Sequence, residues 1–542
     1  MRPIVLRVAM KHLRRLLALS IACAWLAGCG GRASGPVTPI APPLGQVRAP
    51  QAGGAVELPE PPVVKAVNGV ANVSLVVNEN KATGQPEFEY DHLANVAPTI
   101  DIKPGDTFVV DVKNKLPREP PPDKAPMQQD MNLHFHGLGV SPLRPGDDVL
   151  TVLAMPGQHL HYVVHVPKNQ EPGLYWYHPH VHGVTSFQVG ASGMSGALVI
   201  EGLTRHLPGL AKMRQRIIIV RATGNGGEDT DDVGMDDGMS DSPNASDMGT
   251  MRPQNSNTAP CSTTDGLKTT LNGVRHPVIT IAPGEKQFFR VINATGHKTL
   301  RLNIQEEKLE VVAIDGFALD SYPGTPPTLT EKDIIIPPAG RAEFVVTGPR
   351  SGRAKFRTLC YDTGPNGDPD PNIWLGDLVA PHKPQGGDFS TRPLTVGEPL
   401  PSNVYTTALP PPAAKRVVIF SEDAKLRFFI NGKSFHINSP PMFVVHVGTV
   451  EEWHVFNVTQ EIHDFHVHQL HFLVESINGE KVKHPYWSDT IVIPHRSGKN
   501  GPPGSLVLLM DFRDPVIRGE FVFHCHILDH EDQGMMAKIE AI

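Results

Sequence analysis

Ten histidines and one cysteine stand in four short clusters of this 542-residue chain. In chain order the clusters are His134-Phe-His136-Gly, His178-Pro-His180, His463-Asp-Phe-His466-Val-His468 and His524-Cys525-His526, the last followed by His530 and Met535. Neutral imidazole is a common metal ligand, and a thiolate with two imidazoles and a distant thioether is the donor set of a blue-copper site. Core packing explains neither the paired histidines nor a cysteine held between two of them. The clusters therefore predict copper.

The spacing sorts these residues onto two faces, provided that the clusters lie on β-strands. In a strand, residues i and i+2 share a face while residue i+1 points the other way. One face then carries eight histidines that can coordinate several ions: His134, His136, His178, His180, His466, His468, His524 and His526. The other face carries a complete mononuclear set: His463, Cys525, His530 and Met535. One strand, through His524-Cys525-His526, can therefore serve two metal centres.

The four clusters resemble, in the same order, the four copper signatures of the multicopper oxidases: HxHG, HxH, HxxHxH and HCHxxxHxxxxM. The resemblance runs from about residue 65 to the end of the chain. It implies a type 1 copper held by His463, Cys525 and His530, with Met535 as the axial ligand. It also implies a type 2 copper and a pair of type 3 coppers on the remaining ligands, which makes four ions. Carried over by position, the type 2 ligands are His134 and His466, and the two type 3 sets are His136, His178, His526 and His180, His468, His524.

The resemblance also implies an activity. A multicopper oxidase takes single electrons from a reducing substrate at the type 1 copper and reduces O₂ to water at the trinuclear cluster. We expect a laccase-like enzyme that acts on phenols or aromatic amines; the alternative is a cuprous or metallo-oxidase for envelope copper tolerance. A copper nitrite reductase lacks the eight paired histidines. A non-catalytic copper carrier or sink has no need of Cys525 between two histidines.

Reduction of O₂ to water consumes protons, so the resemblance implies acids near the cluster. Glu531 follows His530, where bacterial laccases of the family keep an acid on the route to the type 3 pair. Asp147 matches an acid that resembling enzymes keep near the type 2 copper. We expect both to relay protons. Asp148 competes with Asp147 for that role, and either acid can instead cap a turn.

Three further residues lie beside the ligand pattern. His471 follows the third cluster, but residue 473 is leucine, so only the 463-466-468 register completes the pattern. His182 continues the i+2 series after His180, and we interpret it as a spectator rather than a group that supports a ligand. Met536 competes with Met535, which has the family's offset from Cys525.

Composition and length predict the fold. The chain is too long for one core, and many short Val/Ile/Phe runs are broken by Pro-Gly or Asn-Gly signals, with 53 prolines and 50 glycines in all. These features indicate an all-β protein, and the resemblance implies three Greek-key cupredoxin-like barrel domains. One sequence pattern occurs twice: Asn-Gly, then a glycine turn, then an aromatic-rich strand that ends in Asn. This indicates an internal repeat. We predict domains at 62–203, 212–385 and 396–542, the first and third each supplying four cluster histidines.

Residues 224–260 interrupt the second domain with an acidic, Gly/Ser/Asn-rich insertion that has no apolar period. It carries Met235, Met239, Met248 and Met251, and thioethers are soft ligands that favour Cu(I). Similar methionine-rich segments occur in cuprous oxidases of the family. Recruitment of Cu(I) and an ordinary surface loop are both open interpretations.

The N-terminus predicts export. Residues 1–28 combine five basic residues with a short apolar run and end in Leu-Ala-Gly before Cys29, which looks like a bacterial lipobox. We therefore expect a signal peptide at 1–28, a lipid on Cys29, a flexible Pro/Gly/Ala-rich tether at 29–61, and a place in the cell envelope facing the periplasm. The absence of aspartate at position 30 favours the outer membrane.

The net charge and the number of cysteines bear on the partners and on disulfide formation. The formal net charge is −7, and loss of the five basic residues of the signal leaves −12, without a basic run that would suit nucleic acid. Cys261 and Cys360 are left over after export and metal binding, and an oxidising compartment permits them to form a disulfide. We expect a monomer whose partners are O₂, a small reductant and the membrane.

Overall fold

The computed structural model describes residues 56–118, 128–224, 268–368, 370–381, 386–425 and 427–542. The predicted signal peptide, most of the tether, nearly all of the insertion 224–260 and its four methionines, and Cys261 lie outside these ranges. The pairing of Cys261 with Cys360 therefore stays a prediction. Among the described residues, no helix is both long enough and apolar enough to cross a membrane.

The first two sheets use strands whose apolar residues alternate. Along Val70–Glu79, for example, Ala71, Val73, Leu75 and Val77 are buried, while their neighbours are mostly exposed. The strands are β1 (Val63–Lys65), β2 (Val70–Glu79), β3 (Pro86–Tyr90), β4 (Leu93–Ala94), β5 (Thr99–Ile102), β6 (Thr107–Asn114), β7 (His134–His136), β8 (His159–His165), β9 (Gly173–His178) and β10 (Gly196–Ile200). They form sheets in the orders β1-β5-β10-β9-β7 and β4-β3-β2-β6-β8. A π-helix (Ser186–Ala191), the helix α1 (Leu203–His206) and a 3₁₀ helix (Pro208–Lys212) complete this part.

A second pair of sheets follows. Its strands are β11 (Arg214–Thr223), β12 (Lys268–Leu271), β13 (Val278–Thr280), β14 (Lys286–Asn293), β15 (Leu300–Ile304), β16 (Leu309–Ile314), β17 (Phe317–Ala318), β18 (Leu329–Glu331), β19 (Asp333–Ile336), β20 (Arg341–Thr347), β21 (Arg353–Leu359) and β22 (Ile373–Val379). One sheet has the order β12-β11-β14-β20-β16-β17, with β18 paired to β16, and the other β13-β22-β21-β15-β19. A 3₁₀ helix spans Leu319–Ser321.

The third pair repeats the second. Its strands are β23 (Ala414–Glu422), β24 (Phe428–Ile430), β25 (Phe443–Val445), β26 (Val450–Asn457), β27 (His463–Val467), β28 (Phe472–Ile477), β29 (Glu480–Lys481), β30 (Trp487–Ser488), β31 (Thr490–Ile493), β32 (Gly504–Asp511), β33 (Gly519–Cys525) and β34 (Met536–Ala541). The orders are β24-β23-β26-β32-β28-β29, with β30 paired to β28, and β25-β34-β33-β27-β31. A 3₁₀ helix (Pro515–Ile517) precedes β33, and the helix α2 (Leu528–Asp532) follows it.

The repeat positions the third histidine cluster. Asn293 and Asn457 end equivalent strands, and each side-chain amide donates across the following turn, to the carbonyls of Lys298 and Glu461 at 2.7 Å. In the third sheet pair this turn delivers the chain directly into β27, which begins at His463. The predicted all-β class is confirmed, and the six sheets fall into three pairs along the chain.

Candidate metal centre

Two adjacent strands and a short helix bring the mononuclear group together. His463 begins β27, Cys525 ends the antiparallel neighbour β33, and His530 lies on α2. The sulfur of Cys525 lies 3.8 Å from Nδ1 of His463 and 3.7 Å from Nδ1 of His530, and these two nitrogens are 3.0 Å apart. All three side chains are buried, and their donor atoms are close enough to share one ion.

The protonation of this group suits a cation. Burial raises the pKa of the Cys525 thiol well above its ordinary value, and it lowers the pKa of His463 and takes that of His530 to about 3. The imidazoles are thus neutral, which is the form that binds metal. A coordinating thiol is deprotonated by its metal, and the backbone N–H of Asp464 donates to the sulfur at 3.4 Å.

Met535 and Met536 lie in different apolar environments. Met535 belongs to the same buried cluster as Cys525, and its carbonyl accepts from the backbone N–H of Cys525 at 3.0 Å. Met536 packs instead with Val149 and Val522. The structure therefore places Met535, and not its neighbour, on the side of the mononuclear group.

Carboxyl groups surround the outer edge of the mononuclear group. Oε1 of Glu461 lies 3.7 Å from Nε2 of His530, the ring nitrogen turned away from the sulfur. Burial, and then the carboxyl of Glu422 that hydrogen-bonds to it, raise the pKa of Glu461 to about 9. The exposed Asp368 adds to this effect.

The eight remaining histidines meet between the first and third sheet pairs. His134 pairs with His178 in one sheet, and His466 pairs with His524 in the other. The two halves interlock, because the ring of His134 stacks on that of His468 at a centroid distance of 3.7 Å. All eight rings are buried. The described residues thus place four imidazoles from each end of the chain around one centre.

One of the predicted triads is tighter than the other. Nε2 of His524 lies 3.2 Å from Nε2 of both His180 and His468, so this set can hold one ion. The ring centroids of this triad are 4.8, 5.0 and 5.3 Å apart. In the second predicted set, His136, His178 and His526, the ring centroids are 5.3, 5.6 and 5.8 Å apart. The predicted type 2 ligands are His134 and His466, and their ring centroids lie 6.0 Å apart.

The buried ring nitrogens show that copper fits. Seven of the eight histidines keep at least one buried nitrogen that has no hydrogen-bond partner among the residues described: His134, His136, His178, His180, His466, His468 and His526. Each such nitrogen costs about 1–3 kcal/mol if it stays unbonded. Protonation does not remove this cost, because burial keeps the rings neutral. It lowers the pKa well below the ordinary value in six of the histidines: His136, His178, His180, His466, His468 and His526. In His180 and His468 the unpartnered nitrogen is Nδ1, while Nε2 faces His524 in the tighter triad. In the other five histidines, a dication that accepts the imidazole lone pair removes the cost, and imidazole suits copper.

The assumption that all four clusters lie on strands is wrong in part. β7 spans His134–His136, but β9 ends at His178, β27 at Val467 and β33 at Cys525. The second member of three pairs therefore lies beyond a strand end: His180, His468 and His526. The division into two groups survives, because the rings of these three residues still lie next to other histidines of the cluster.

Asp147 and Asp148 have different roles in the structure. Asp147 is buried, lies 2.9 Å from Nδ1 of His134, and accepts from the side-chain amide of Gln469 at 2.6 Å. Asp148 instead accepts the backbone N–H groups of Leu150 and Thr151, and so caps a turn. Of the two candidates for a proton relay, only Asp147 contacts a predicted ligand.

Glu531 lies against the tighter triad. Its Oε2 is 3.1 Å from Nδ1 of His524, and its Oε1 is 3.6 Å from Nε2 of His180. The hydroxyl of Thr185 donates to Oε1 at 3.1 Å. The carboxyl is buried between the two ends of the chain and reaches two predicted ligands of one ion.

The two neighbouring histidines differ in their contacts. His471 packs on the ring of Phe317, and its Nε2 lies 3.0 Å from the carbonyl of Asp315 and 3.2 Å from Oδ2 of Asp489. His182 packs against Phe435, and burial lowers its pKa to about 4. Neither histidine falls within a described group of metal-ligand geometry.

Sequence reasoning missed a buried ion pair at the cluster. Asp489 lies 3.2 Å from Nε2 of His136, and its backbone carbonyl is 2.9 Å from Nδ1 of His466. Arg341 binds both carboxylate oxygens, at 2.7 and 2.5 Å. Burial alone would raise the pKa of Asp489, but the guanidinium outweighs it and holds the pKa well below its usual range. The one local signal is an aspartate between two short buried strands, where an unpaired charge is rare.

This ion pair explains the glycine of the first signature. Gly137 has φ of +85°, and a Cβ atom there would lie 2.5 Å from Nη2 of Arg341 and 2.7 Å from Oδ2 of Asp489. We expect Gly137→Ala to lower the free energy of unfolding by about 1–3 kcal/mol, as overpacking does, measured by urea denaturation of the metal-free protein. Gly157→Ala is the matched control, because Gly157 has φ of +88° but no described atom within 4 Å of the added Cβ. Equal losses in the two variants would contradict the steric explanation.

Comparison with known proteins identifies the family. Three sequence models, each described as multicopper oxidase, match residues 94–204, 225–368 and 408–541. Together they cover more than half of the chain, so the chain belongs to the multicopper oxidase family. Members of this family are copper-dependent oxidoreductases that use O₂ as the acceptor. The predicted family and enzyme class are confirmed.

Relatives and solved structures agree. The multicopper oxidase mco of Staphylococcus haemolyticus (strain JCSC1435) is 24% identical over 487 residues, which span 87% of this chain and 89% of that protein. The laccase of Bacillus subtilis (strain 168) is 24% identical over 403 residues, 70% of this chain and 72% of that protein. A Campylobacter jejuni multicopper oxidase described as a metallo-oxidase has 23% identity and a TM-score of 0.64, covering 91% of this chain and 98% of that one. These likenesses confirm the predicted fold class of cupredoxin-like barrels.

Proposed function

We propose that this protein oxidises a small reductant one electron at a time and reduces O₂ to water, with four copper ions held by the residues described above. The mononuclear ion is held by His463, Cys525 and His530, with Met535 as the axial ligand. The other three ions are held by the eight histidines between the two ends of the chain. When bound, copper supplies the one-electron chemistry that side chains lack.

One observation carries this proposal. Cys525 lies in the mononuclear group, while His524 and His526, its two chain neighbours, lie in the eight-histidine cluster. The backbone of β33 thus joins the two centres through a few covalent bonds. A protein that only stores copper gains nothing from this connection, whereas an oxidase needs it.

The two acids at the cluster supply and hold protons. Asp147 fixes the tautomer of His134 by accepting from its Nδ1–H, which leaves Nε2 for metal. Glu531 reaches His524 and His180 from the other side and is held by Thr185. We propose Glu531 as the group that delivers protons where O₂ is reduced.

The first candidate for the electron donor is a phenol or an aromatic amine, and a protein named laccase is among the relatives. A reduced metal ion such as Cu(I) is the second candidate, and one observation favours it. Glu461, hydrogen-bonded to Glu422, lies at the outer nitrogen of His530. A cation bound between these two carboxyl groups would take the place of the proton that they share, and it would lie beside a ligand of the mononuclear ion.

O₂ uptake by the copper-loaded full-length protein tests the proposal, with Cu(I) and with dimethoxyphenol as alternative donors. We expect O₂ consumption with at least one donor, and no consumption with either would overturn the oxidase proposal. If Cu(I) is the substrate, Glu461→Gln should lower kcat/KM for Cu(I) by about ten-fold, the worth of one charge-assisted contact, and leave phenol oxidation unchanged.

The matched control for the donor experiment is Glu201→Gln. Glu201 follows β10 in the first sheet pair and pairs with Lys65 at 3.6 Å, away from the mononuclear group. Glu201→Gln should leave oxidation of both donors unchanged. If Glu461→Gln oxidises Cu(I) as fast as the parent protein and phenol oxidation is the faster reaction, Glu461 does not bind a Cu(I) substrate. A phenol or aromatic amine is then the electron donor.

A further inference from the structure

Arg341 begins β20, in the middle sheet pair, which contributes no residue to the metal-ligating groups of the described chain. Its guanidinium nevertheless reaches the cluster, because Nη1 and Nη2 donate to the two oxygens of Asp489 at 2.7 and 2.5 Å. A planar fork that binds both carboxylate oxygens fixes direction as well as distance.

The remaining donors of Arg341 are also occupied. Nη2 donates to the carbonyl of Asp315 at 3.0 Å, and Nε to the carbonyl of Leu174 at 3.4 Å. Leu174 belongs to the first sheet pair, Asp315 to the second and Asp489 to the third. One buried side chain thus joins all three sheet pairs beside the cluster, and it does so without solvent exposure.

Asp489 passes this constraint to two predicted copper ligands. Its Oδ1 lies 3.2 Å from Nε2 of His136, whose Nδ1 is buried and has no other partner in the part of the chain described. The ring of His466 is held on the same segment, since its Nδ1 lies 2.9 Å from the Asp489 carbonyl and 3.0 Å from Oγ1 of Thr490. Both imidazoles therefore present their free nitrogen to the cluster.

We propose that Arg341 is a positioning residue of the copper cluster. It holds Asp489 so that Asp489 accepts the Nε2–H of His136 and leaves Nδ1 of that ring for copper. A carboxylate on the second nitrogen of a metal-bound histidine sets its tautomer and orientation, and losing such a partner typically weakens metal binding by about 10- to 100-fold. The inference rests on the proposed function, because it requires His136 and His466 to bind copper.

The middle domain, which supplies no described metal-ligating residue, thus acts at the metal through Arg341. Docking of this domain brings Arg341 into place, and without Arg341 the carboxylate of Asp489 would be a buried charge with no cation to balance it. Lysine at this position would keep the charge but could not bind both oxygens. The conservative change therefore separates the geometric role from the simple presence of a positive charge.

The test measures copper binding in the full-length protein carrying Arg341→Lys. Copper affinity of the cluster is read by competition with a chelator, with copper per chain and the copper EPR spectrum as further readouts. We expect about 10- to 100-fold weaker binding at the cluster, with the blue absorption of the Cys525 site retained. Arg216→Lys is the control, because Arg216 is also fully buried in the middle sheet pair but binds Glu60 and Gln287, away from the histidines.

The outcomes separate the two proposals. Parent protein that binds no copper at the eight histidines would overturn the proposed function. Normal binding by the parent with unchanged affinity in Arg341→Lys would overturn the role of Arg341, as would an equal loss in Arg216→Lys. If Arg341→Lys does not fold, the charge-free pair Arg341→Met with Asp489→Asn replaces it, and wild-type cluster affinity in that pair would also overturn the role.

Discussion

Replacing Cys525 with serine is expected to abolish the blue absorption of the copper-loaded protein and to reduce O₂ uptake to background. Serine offers no thiolate, and Cys525 supplies both the sulfur ligand of the mononuclear group and the chain connection to His524 and His526. The eight-histidine cluster keeps all its ligands in this variant. Absorption spectra and O₂ uptake, measured with copper per chain, check the result.

Met536→Leu is the control for the Cys525 variant. Met536 is as deeply buried as the mononuclear group but packs with Val149 and Val522, so its replacement should leave the blue band in place. A blue band that survives in Cys525→Ser would show that the mononuclear copper is bound elsewhere. It would remove the assignment of His463 and His530 together with that of the cysteine.

Glu531→Gln is expected to slow O₂ reduction by roughly 10²- to 10⁴-fold, the usual contribution of a positioned acid or base. Glutamine can accept the hydrogen bond from Thr185 but cannot carry a proton to the cluster. The blue absorption should remain, because Glu531 contacts His524 and His180 and not the Cys525 sulfur. Reoxidation of the reduced protein by O₂, followed in stopped flow, measures the step directly.

Glu520→Gln is the control for Glu531→Gln. It removes a carboxylate on β33 without removing the proposed proton donor. Glu520 lies on the same strand as Cys525 but pairs with Lys538 at the surface end, at 2.9 Å. Its replacement should not change reoxidation. Unchanged reoxidation in Glu531→Gln would exclude Glu531 from proton delivery and leave it a purely structural contact between the two ends of the chain.

The separation of two metal groups could be predicted because it follows from local geometry. Cys525 and His524 are adjacent, and adjacent strand residues point to opposite faces whatever the rest of the fold does. The same rule placed His463 apart from His466. Where the strands ended early, as before His180 and His468, the ligand spacing still indicated the right group although the strand assumption was wrong.

The contacts of the cluster's surroundings could not be predicted, because they depend on how distant segments dock. Arg341 and Asp489 are 148 residues apart, and His136 and Asp489 are 353 apart. No spacing rule connects them. Asp147 and Asp148 illustrate the same limit at short range, since only the fold decides which carboxylate turns toward His134 and which one caps the turn.

The joining of the two chain ends at one centre has a consequence for biosynthesis. His180 and His524 become neighbours although 344 positions separate them in the chain. At about 5–20 residues per second, roughly 20–70 seconds of translation elapse between the first half of the cluster and the last. During that interval the N-terminal imidazoles form an incomplete site that could trap copper in the wrong stoichiometry. Copper that binds only after the last strands have docked avoids this incomplete site.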